Sequence, residues 1–316
     1  MPVIPATEEA IGQAAAALAR GDVVAFPTET VYGLGANARD AQAVAKVFAA
    51  KERPRFNPLI VHVPGITAAE TYAVLDGTAR KLAEAFWPGP LSLVLPRRAD
   101  SGIADLVTAG LDTIALRAPQ HPIAQALLAA ARLPIAAPSA NRSGRVSPTR
   151  AAHVEAELGD IPAMILDGGP CPLGIESTVV GVTGDAPVLL RLGAVPRETI
   201  EDVLEQKLVG PDRDAAIASP GQLARHYAPN TPLRLEAIDI RKGEALLAFG
   251  PDIPDGTAAM VNLSRSGDLA EAATNLFAAL RTLDDSGASA IAVMPIPATG
   301  LGEAINDRLQ RAAKAR

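Results

Sequence analysis

Two short segments carry more side-chain chemistry than chain reversal requires. Phe26-Pro27-Thr28-Glu29-Thr30-Val31-Tyr32-Gly33-Leu34-Gly35 follows the apolar run Val23-Val24-Ala25-Phe26. It packs a proline turn, two threonines, a carboxylate, a tyrosine and two glycines into one connection. Sixteen residues after Gly35 comes Lys51-Glu52-Arg53-Pro54-Arg55-Phe56-Asn57-Pro58-Leu59. A lysine and an arginine two apart, before a proline, can converge on phosphate, Arg as a planar fork and Lys as a compact charge. The same pair also suits a helix C-terminus on dipole grounds alone. Together the two segments describe an anion-binding pocket that also holds a small polar substrate.

Two later motifs have the same character. Ala137-Pro138-Ser139-Ala140-Asn141-Arg142-Ser143-Gly144 ends a short strand. Its residues make a turn by themselves, yet strand ends are where open α/β sheets bind ligands. Glu176-Ser177-Thr178-Val179-Val180 is followed by Leu190-Arg191-Leu192-Gly193. Gly33-x-Gly35-x-x-Ala38 has the spacing of a dinucleotide fingerprint, read as a loop between a strand and a helix. That fingerprint needs an acidic residue at the end of the next strand, where Val61-His62-Val63 has none. A phosphate loop of the G-x-x-x-x-G-K-[ST] type does not occur. His62, His121, His153 and His226 show no paired metal-ligand spacing, and the motifs hold no Ser/His/Asp or Cys/His arrangement.

The elements that must hold these motifs alternate. Spacing predicts a helix over 8–20 with Thr7 as its cap and Gly21 as its stop, a strand over 23–26, and a helix over 41–51 capped by Asp40. Further strands are predicted over 58–63, 91–95, 113–116, 134–137, 163–166, 177–182 and 188–190. Helices are predicted over 78–86, 123–131 and 197–204, with another opened by Ser147 and Pro148 and ending near Leu158. Strands and helices do not alternate strictly, so an α/β fold with a twisted, open, mixed sheet and flanking helices fits better than a parallel one. The stretch from Pro196 to Thr231 is rich in proline and aspartate and contains Gln222-Leu223-Ala224-Arg225-His226-Tyr227-Ala228-Pro229. Strands over 233–235, 245–249, 258–262 and 290–294, with helices over 269–283 and 301–315, then build a smaller α/β domain. The expected division is a catalytic domain at 1–200, a linker or lid at 201–231 and a small domain at 232–316.

Composition narrows the class. A chain of 316 residues with 48% hydrophobic and 20% charged residues is globular and long enough for two cores. No apolar run reaches the ~18 residues of a membrane span. No signal peptide is visible, and the single cysteine, Cys171, fits a reducing cytoplasm. A net charge of -6 argues against a general nucleic-acid binder. Positive charge is clustered instead at Lys51/Arg53/Arg55, Arg97/Arg98 and Arg142/Arg145/Arg150, which suits a phosphorylated small molecule.

Taken in order, FPTETVYGLG, K-x-R with NPL, PSAN-x-SG, ESTVV and LR-x-G closely resemble the YrdC-like family. The R-H-Y-A-P motif and the small C-terminal, Rossmann-like domain resemble its longer, two-domain members, the threonylcarbamoyl-AMP synthases. One variation is Leu192-Gly193, where Pro-Gly is the commoner family pattern. The resemblance implies an ATP-dependent reaction in which L-threonine, bicarbonate and ATP give threonylcarbamoyl-adenylate and pyrophosphate. A downstream transferase then modifies tRNA. Carried over by motif, threonine would meet Thr30, His62, Arg117, the Ala137 main chain and Ser177. ATP would meet Lys51, Arg53, Asn57, Thr113, Ser139, Asn141, Ser147, Arg191 and Tyr227. Lys51 and Arg53 would neutralise charge in the reaction, with Mg2+ held on the ATP phosphates and no protein metal site. The resemblance also implies a cytoplasmic protein without stable nucleic-acid binding. The family offers two alternatives, a carbamoyl-adenylate-handling domain as in hydrogenase maturation and a double-stranded RNA-binding module.

Overall fold

A computed structural model of the chain describes residues 3–211, 226–254 and 259–314. Ten strands form one mixed sheet in the order Val3–Pro5, Met164–Asp167, Val24–Phe26, Gly33–Asn37, Ile135–Ala136, Ile60–His62, Thr113–Arg117, Leu91–Pro96, Thr178–Gly181 and Val188–Arg191. Neighbouring pairs are both parallel and antiparallel, as the irregular alternation predicts. Side chains alternate across the sheet with the two-residue period of a strand. Val24, Phe26, Ile135 and Met164 pack beneath helices Glu8–Ala19 and Pro122–Ala131. Leu34, Ala36, Val61, Leu93 and Leu116 pack on the other face beneath helices Ala41–Lys51 and Gly77–Phe86. Thr7 caps the first helix by accepting from the Ala10 amide, and Asp40 caps the helix Ala41–Lys51 by accepting from the Gln42 and Ala43 amides.

Two expectations need correction. The Gly33–Asn37 segment, read as a loop between a strand and a helix, is itself a strand. Gly35 is small because its strand passes over Phe26: a Cβ there would lie 2.8 Å from both the Phe26 ring and Ile135 Cγ2. The helix expected from Ser147 starts instead at Ala151, with Arg150 at its cap. Ser147 is drawn away because its hydroxyl donates to a buried carboxylate, Glu176, at 2.5 Å.

A second, four-stranded parallel sheet runs Leu233–Arg234, Ala290–Val293, Glu244–Ala248 and Met260–Asn262. Helices Leu269–Asp284 and Leu301–Ala313 cover one face of it. The chain remains tied to the large sheet past the expected boundary at 200. Helix Arg197–Leu204 packs on helix Gly77–Phe86, and Val209 bridges to Val188. The two bodies share a core in which Val31, Val146, Ile175 and Tyr227 join Leu276, Phe277 and Ile305. Gly174 makes that approach possible, since a Cβ there would lie 2.4 Å from the Thr274 carbonyl oxygen. Gln222 to Arg225 of the linker motif, and Ala258 of the predicted strand, lie outside the described residues.

Candidate active site

The site is assembled where strand ends meet the four motifs. His62 and Arg117 close two parallel strands in matched register. Ser139 pairs with Gly33, and Ser177 immediately precedes the strand Thr178–Gly181. Between them lies a partly open space of about 50 Å³ lined by Thr30, Arg53, His62, Arg117, Ala137, Ser139, Ser177 and Arg191, with Thr28, Glu176 and His226. That volume admits a few waters and not a nucleotide.

One end of the cavity is a guanidinium clamp. The loop Thr28–Val31 ties itself together: Thr28 Oγ1 donates to the Val31 carbonyl at 2.6 Å and accepts from the Thr30 and Val31 amides at 3.2 Å. This knot aims Glu29 and Thr30 at Arg117. Arg117 donates from NH2 to Glu29 Oε1 at 2.6 Å, from NH1 to Thr30 Oγ1 at 2.8 Å, and from Nε to the Gly89 carbonyl at 3.2 Å. All three side chains are buried. Burial pushes the Glu29 carboxyl up, but the charge and hydrogen bond of Arg117 outweigh it and hold the group below its usual value. Arg117 therefore keeps two of its five N–H donors for a ligand carboxylate. His62 stands beside the clamp, edge-on to Phe26 at 6.0 Å. Burial first and Arg117 second push its pKa down to about 3, so its imidazole is neutral.

The other end is a cluster of buried cations. Lys51 is the last residue of its helix, and Glu52, with φ of 52°, turns the chain there. Lys51 Nζ donates to the Ser139 carbonyl at 2.6 Å and to the Asn141 carbonyl. Arg53 donates to the carbonyls of Asn57 at 3.2 Å and Pro58 at 2.9 Å. Arg191 holds Ser177, with NH2 at 2.8 Å from its carbonyl and 3.0 Å from its hydroxyl, which also meets Ser92. Among the described residues, Lys51 and Arg53 have no carboxylate partner. Burial and then Arg53 depress the Lys51 ammonium well below its usual value. Burial and then Arg191 push Arg53 down to about 9. Cations raised in energy by burial and mutual repulsion are a site for a polyanion.

The remaining expected residues divide. Asn141 Nδ2 donates to the carbonyls of Arg142 and Arg145. Asn57 is buried with both side-chain polar atoms unpartnered. Tyr227 is fully buried, stacked on Phe277 at 5.7 Å, and its hydroxyl has no partner. Among the described residues, eight buried side-chain polar atoms lack a hydrogen bond; seven belong to Glu29, Asn57, His62, Asn141, His226 and Tyr227. Such atoms are rare in native proteins, and those of His62 and His226 belong to residues that line this cavity. Thr113 does not line this cavity. It starts the strand that Arg117 ends, about 13 Å away at ~3.3 Å per residue. The other arginine clusters do not converge on the cavity. Arg97, Arg98 and Arg142 make surface pairs with Asp105, Asp100 and Glu52, and Arg55 is exposed. Cys171 is buried, and burial pushes its thiol up to about 12, so it is no nucleophile.

Sequence reasoning left Glu29 and Glu176 without roles and passed over Arg308. Glu29 sat beside Thr30 in the densest motif and is the partner of Arg117. Arg308 had one signal: a lone charge at a position where Ala304, Ile305, Leu309 and Ala312 mark the buried face of the last helix.

Comparisons with known proteins agree with this geometry. A family match described as "Telomere recombination" (Sua5, YciO and YrdC) spans residues 16–193, and one described as "Threonylcarbamoyl-AMP synthase, C-terminal domain" spans 195–314. The threonylcarbamoyl-AMP synthase of Bacillus subtilis is 42% identical, covering 97% of this chain and 93% of the relative. That of Schizosaccharomyces pombe is 36% identical over 97% of this chain and 89% of its own. A crystal structure of Pyrococcus abyssi Sua5 complexed with L-threonine is 39% identical, covers 98% of this chain and 96% of that one, and superposes with a TM-score of 0.90. With nearly the full length and the two-domain fold matched by such relatives, the chain belongs to the Sua5/YciO/YrdC family.

Proposed function

We propose that the chain synthesises threonylcarbamoyl-AMP from L-threonine, bicarbonate and ATP, with release of pyrophosphate. One observation carries this reading: a carboxylate clamp and a cluster of buried cations share one cavity. Arg117, with Thr30, His62, Ser177 and the Ala137 main chain, would hold threonine. Lys51, Arg53 and Arg191, with Ser139, Asn141 and Asn57, would hold the phosphates; Ser147, Tyr227 and Thr113 would serve ATP less directly. Threonine's amine combines with bicarbonate to a carbamate and water. A carbamate oxygen then attacks the α-phosphorus while the bond to the β-phosphate oxygen breaks. Holding the reactants together supplies most of the advantage, and the cations stabilise the charge growing on pyrophosphate. Because the space is small and His226 lines it, the segment 226–229 would shift for ATP to enter.

Mg2+ would supply further charge neutralisation, held on the nucleotide phosphates. Glu29 and Glu176 are engaged by Arg117 and Arg308, and no group of three or more His, Cys, Asp or Glu suited to a metal exists among the described residues. We place the catalytic body at 1–200, the linker at 201–231 and the small domain at 232–316. No helix among the described residues is long and apolar enough to cross a membrane. A cytoplasmic setting fits the lone free cysteine, and the net charge of -6 suits a chain that leaves tRNA to a separate transferase. The test is pyrophosphate release. It should require L-threonine and bicarbonate together, and release unaffected by omitting threonine would refute the proposal.

A further inference from the structure

We propose that Arg308 of the small domain is a positioning residue for the nucleotide end of the cavity, acting through Glu176 and Tyr227. The inference rests on the synthase reading for its substrates, but its geometry stands apart from that reading. Arg308 is 0% exposed, although it sits on helix Leu301–Ala313, outside the large sheet that carries the motifs. Its Nε and NH2 both donate to Glu176 Oε2 at 3.2 Å. Glu176 lines the cavity, and its other oxygen accepts the Ser147 hydroxyl. The guanidinium carbon also lies 5.1 Å from the Tyr227 ring centroid, on a tyrosine that stacks on Phe277. One cation from the second domain therefore touches both a cavity carboxylate and the linker tyrosine.

A purely structural role explains this poorly. A buried ion pair seldom stabilises more than apolar residues of the same shape would, because desolvation offsets the attraction. Position is the better account. Glu176 and Arg191 line the same cavity. A Glu176 carboxylate released from Arg308 would turn toward Arg191 and compete there with phosphate. The ring of Tyr227 would lose the cation that fixes its plane. The clamp of Arg117, Glu29 and Thr30 shares no hydrogen bond with Arg308, so the effect falls chiefly on the nucleotide.

The experiment compares Arg308→Lys, Arg308→Met and Arg308→Met/Glu176→Gln with the parent chain. Lysine keeps the charge but loses the fork that reaches Glu176 with two donors. Each variant is titrated with a non-hydrolysable ATP analogue, and KM is measured separately for ATP and L-threonine. Chains labelled with fluorotyrosine add a readout independent of any substrate, since there are only three tyrosines and Tyr227→Phe assigns the signal. Arg308→Lys should weaken the analogue about tenfold, the value of ~1.4 kcal/mol, and leave the threonine KM within about twofold. The Tyr227 fluorine resonance should move, and the double variant should regain most of the affinity lost in Arg308→Met. Equal loss for both substrates, an unmoved resonance, or a double variant no better than the single one would overturn the proposal. If Arg308→Met does not fold, the lysine and double variants decide by the same criteria. A parent chain that releases no threonine-dependent pyrophosphate would remove the synthase reading; the resonance and the analogue titration would still decide on Arg308.

Discussion

Replacing Arg117 with alanine separates the two ends of the cavity. The side chain spends three N–H groups on Glu29, Thr30 and Gly89 and keeps two for a carboxylate. Each charge-assisted bond contributes about 1.5–3 kcal/mol, so losing both costs at least ~3 kcal/mol, or roughly a hundredfold in threonine use. Glu29 is then buried without its partner and repels the substrate carboxylate, which deepens the loss. Breaking that buried pair also costs about 3–5 kcal/mol of stability. Arg117→Ala/Glu29→Gln removes the stranded charge, so it should recover much of the stability without recovering threonine use. The assay is pyrophosphate release with threonine varied at saturating ATP and then ATP varied at saturating threonine, beside a thermal melt. The threonine KM should rise about a hundredfold and the ATP KM by no more than about threefold. Equal rises in both would show that Arg117 is not a threonine clamp, and the division of the cavity into two ends would be wrong.

Three other outcomes are expected. Phosphate near Lys51 should pull its depressed pKa back up, so ATP binding should take up a proton at a pH below the ordinary lysine value; calorimetry in two buffers of different ionisation enthalpy would show it, and uptake surviving in Lys51→Met would contradict the assignment. His62 at about 3 and His226 well below its usual value refuse protons that the unfolded chain accepts below about 6.5, so stability should rise with pH across that window and melting temperature should fall on acidification; a flat profile in melts from about pH 6.5 to 4 would refute this. Gly193→Ala would place a Cβ 2.4 Å from Ser177 C and Thr178 N, displacing Ser177 and costing about 1–3 kcal/mol, whereas Gly210→Ala meets nothing within 4 Å and should be silent in both melt and activity.

Much of the fold was legible because its signals are local. Thr7 and Asp40 sit where their helices begin, and the apolar faces of 41–51 and 269–284 follow helical spacing. Short strands were found to within a residue or two, except Val3–Pro5, which was not predicted, and Gly33–Asn37, whose glycines imitate a loop when the ring of Phe26 beneath them is unknown. Ser147 misled for a related reason: its hydroxyl answers to Glu176, far along the chain, and not to the nearest helix. The residues that line the cavity were visible as motifs, and their division between a threonine set and an ATP set came only with the family resemblance. Glu29 with Arg117 and Glu176 with Arg308 are long-range pairs that no spacing rule encodes. Arg308 adds a further obstacle, since a charge on an apolar helix face announces a buried partner without naming it.

The account claims that one cavity joins threonine, bicarbonate and ATP. Carbon-13 bicarbonate tests this most directly, by mass spectrometry of the nucleotide products formed with ATP and L-threonine. The account predicts an adenylate carrying both the threonine mass and one heavy carbon, formed in equal amount to pyrophosphate and absent when threonine is omitted. An adenylate of threonine without the heavy carbon, or pyrophosphate released with no such adduct, would contradict it.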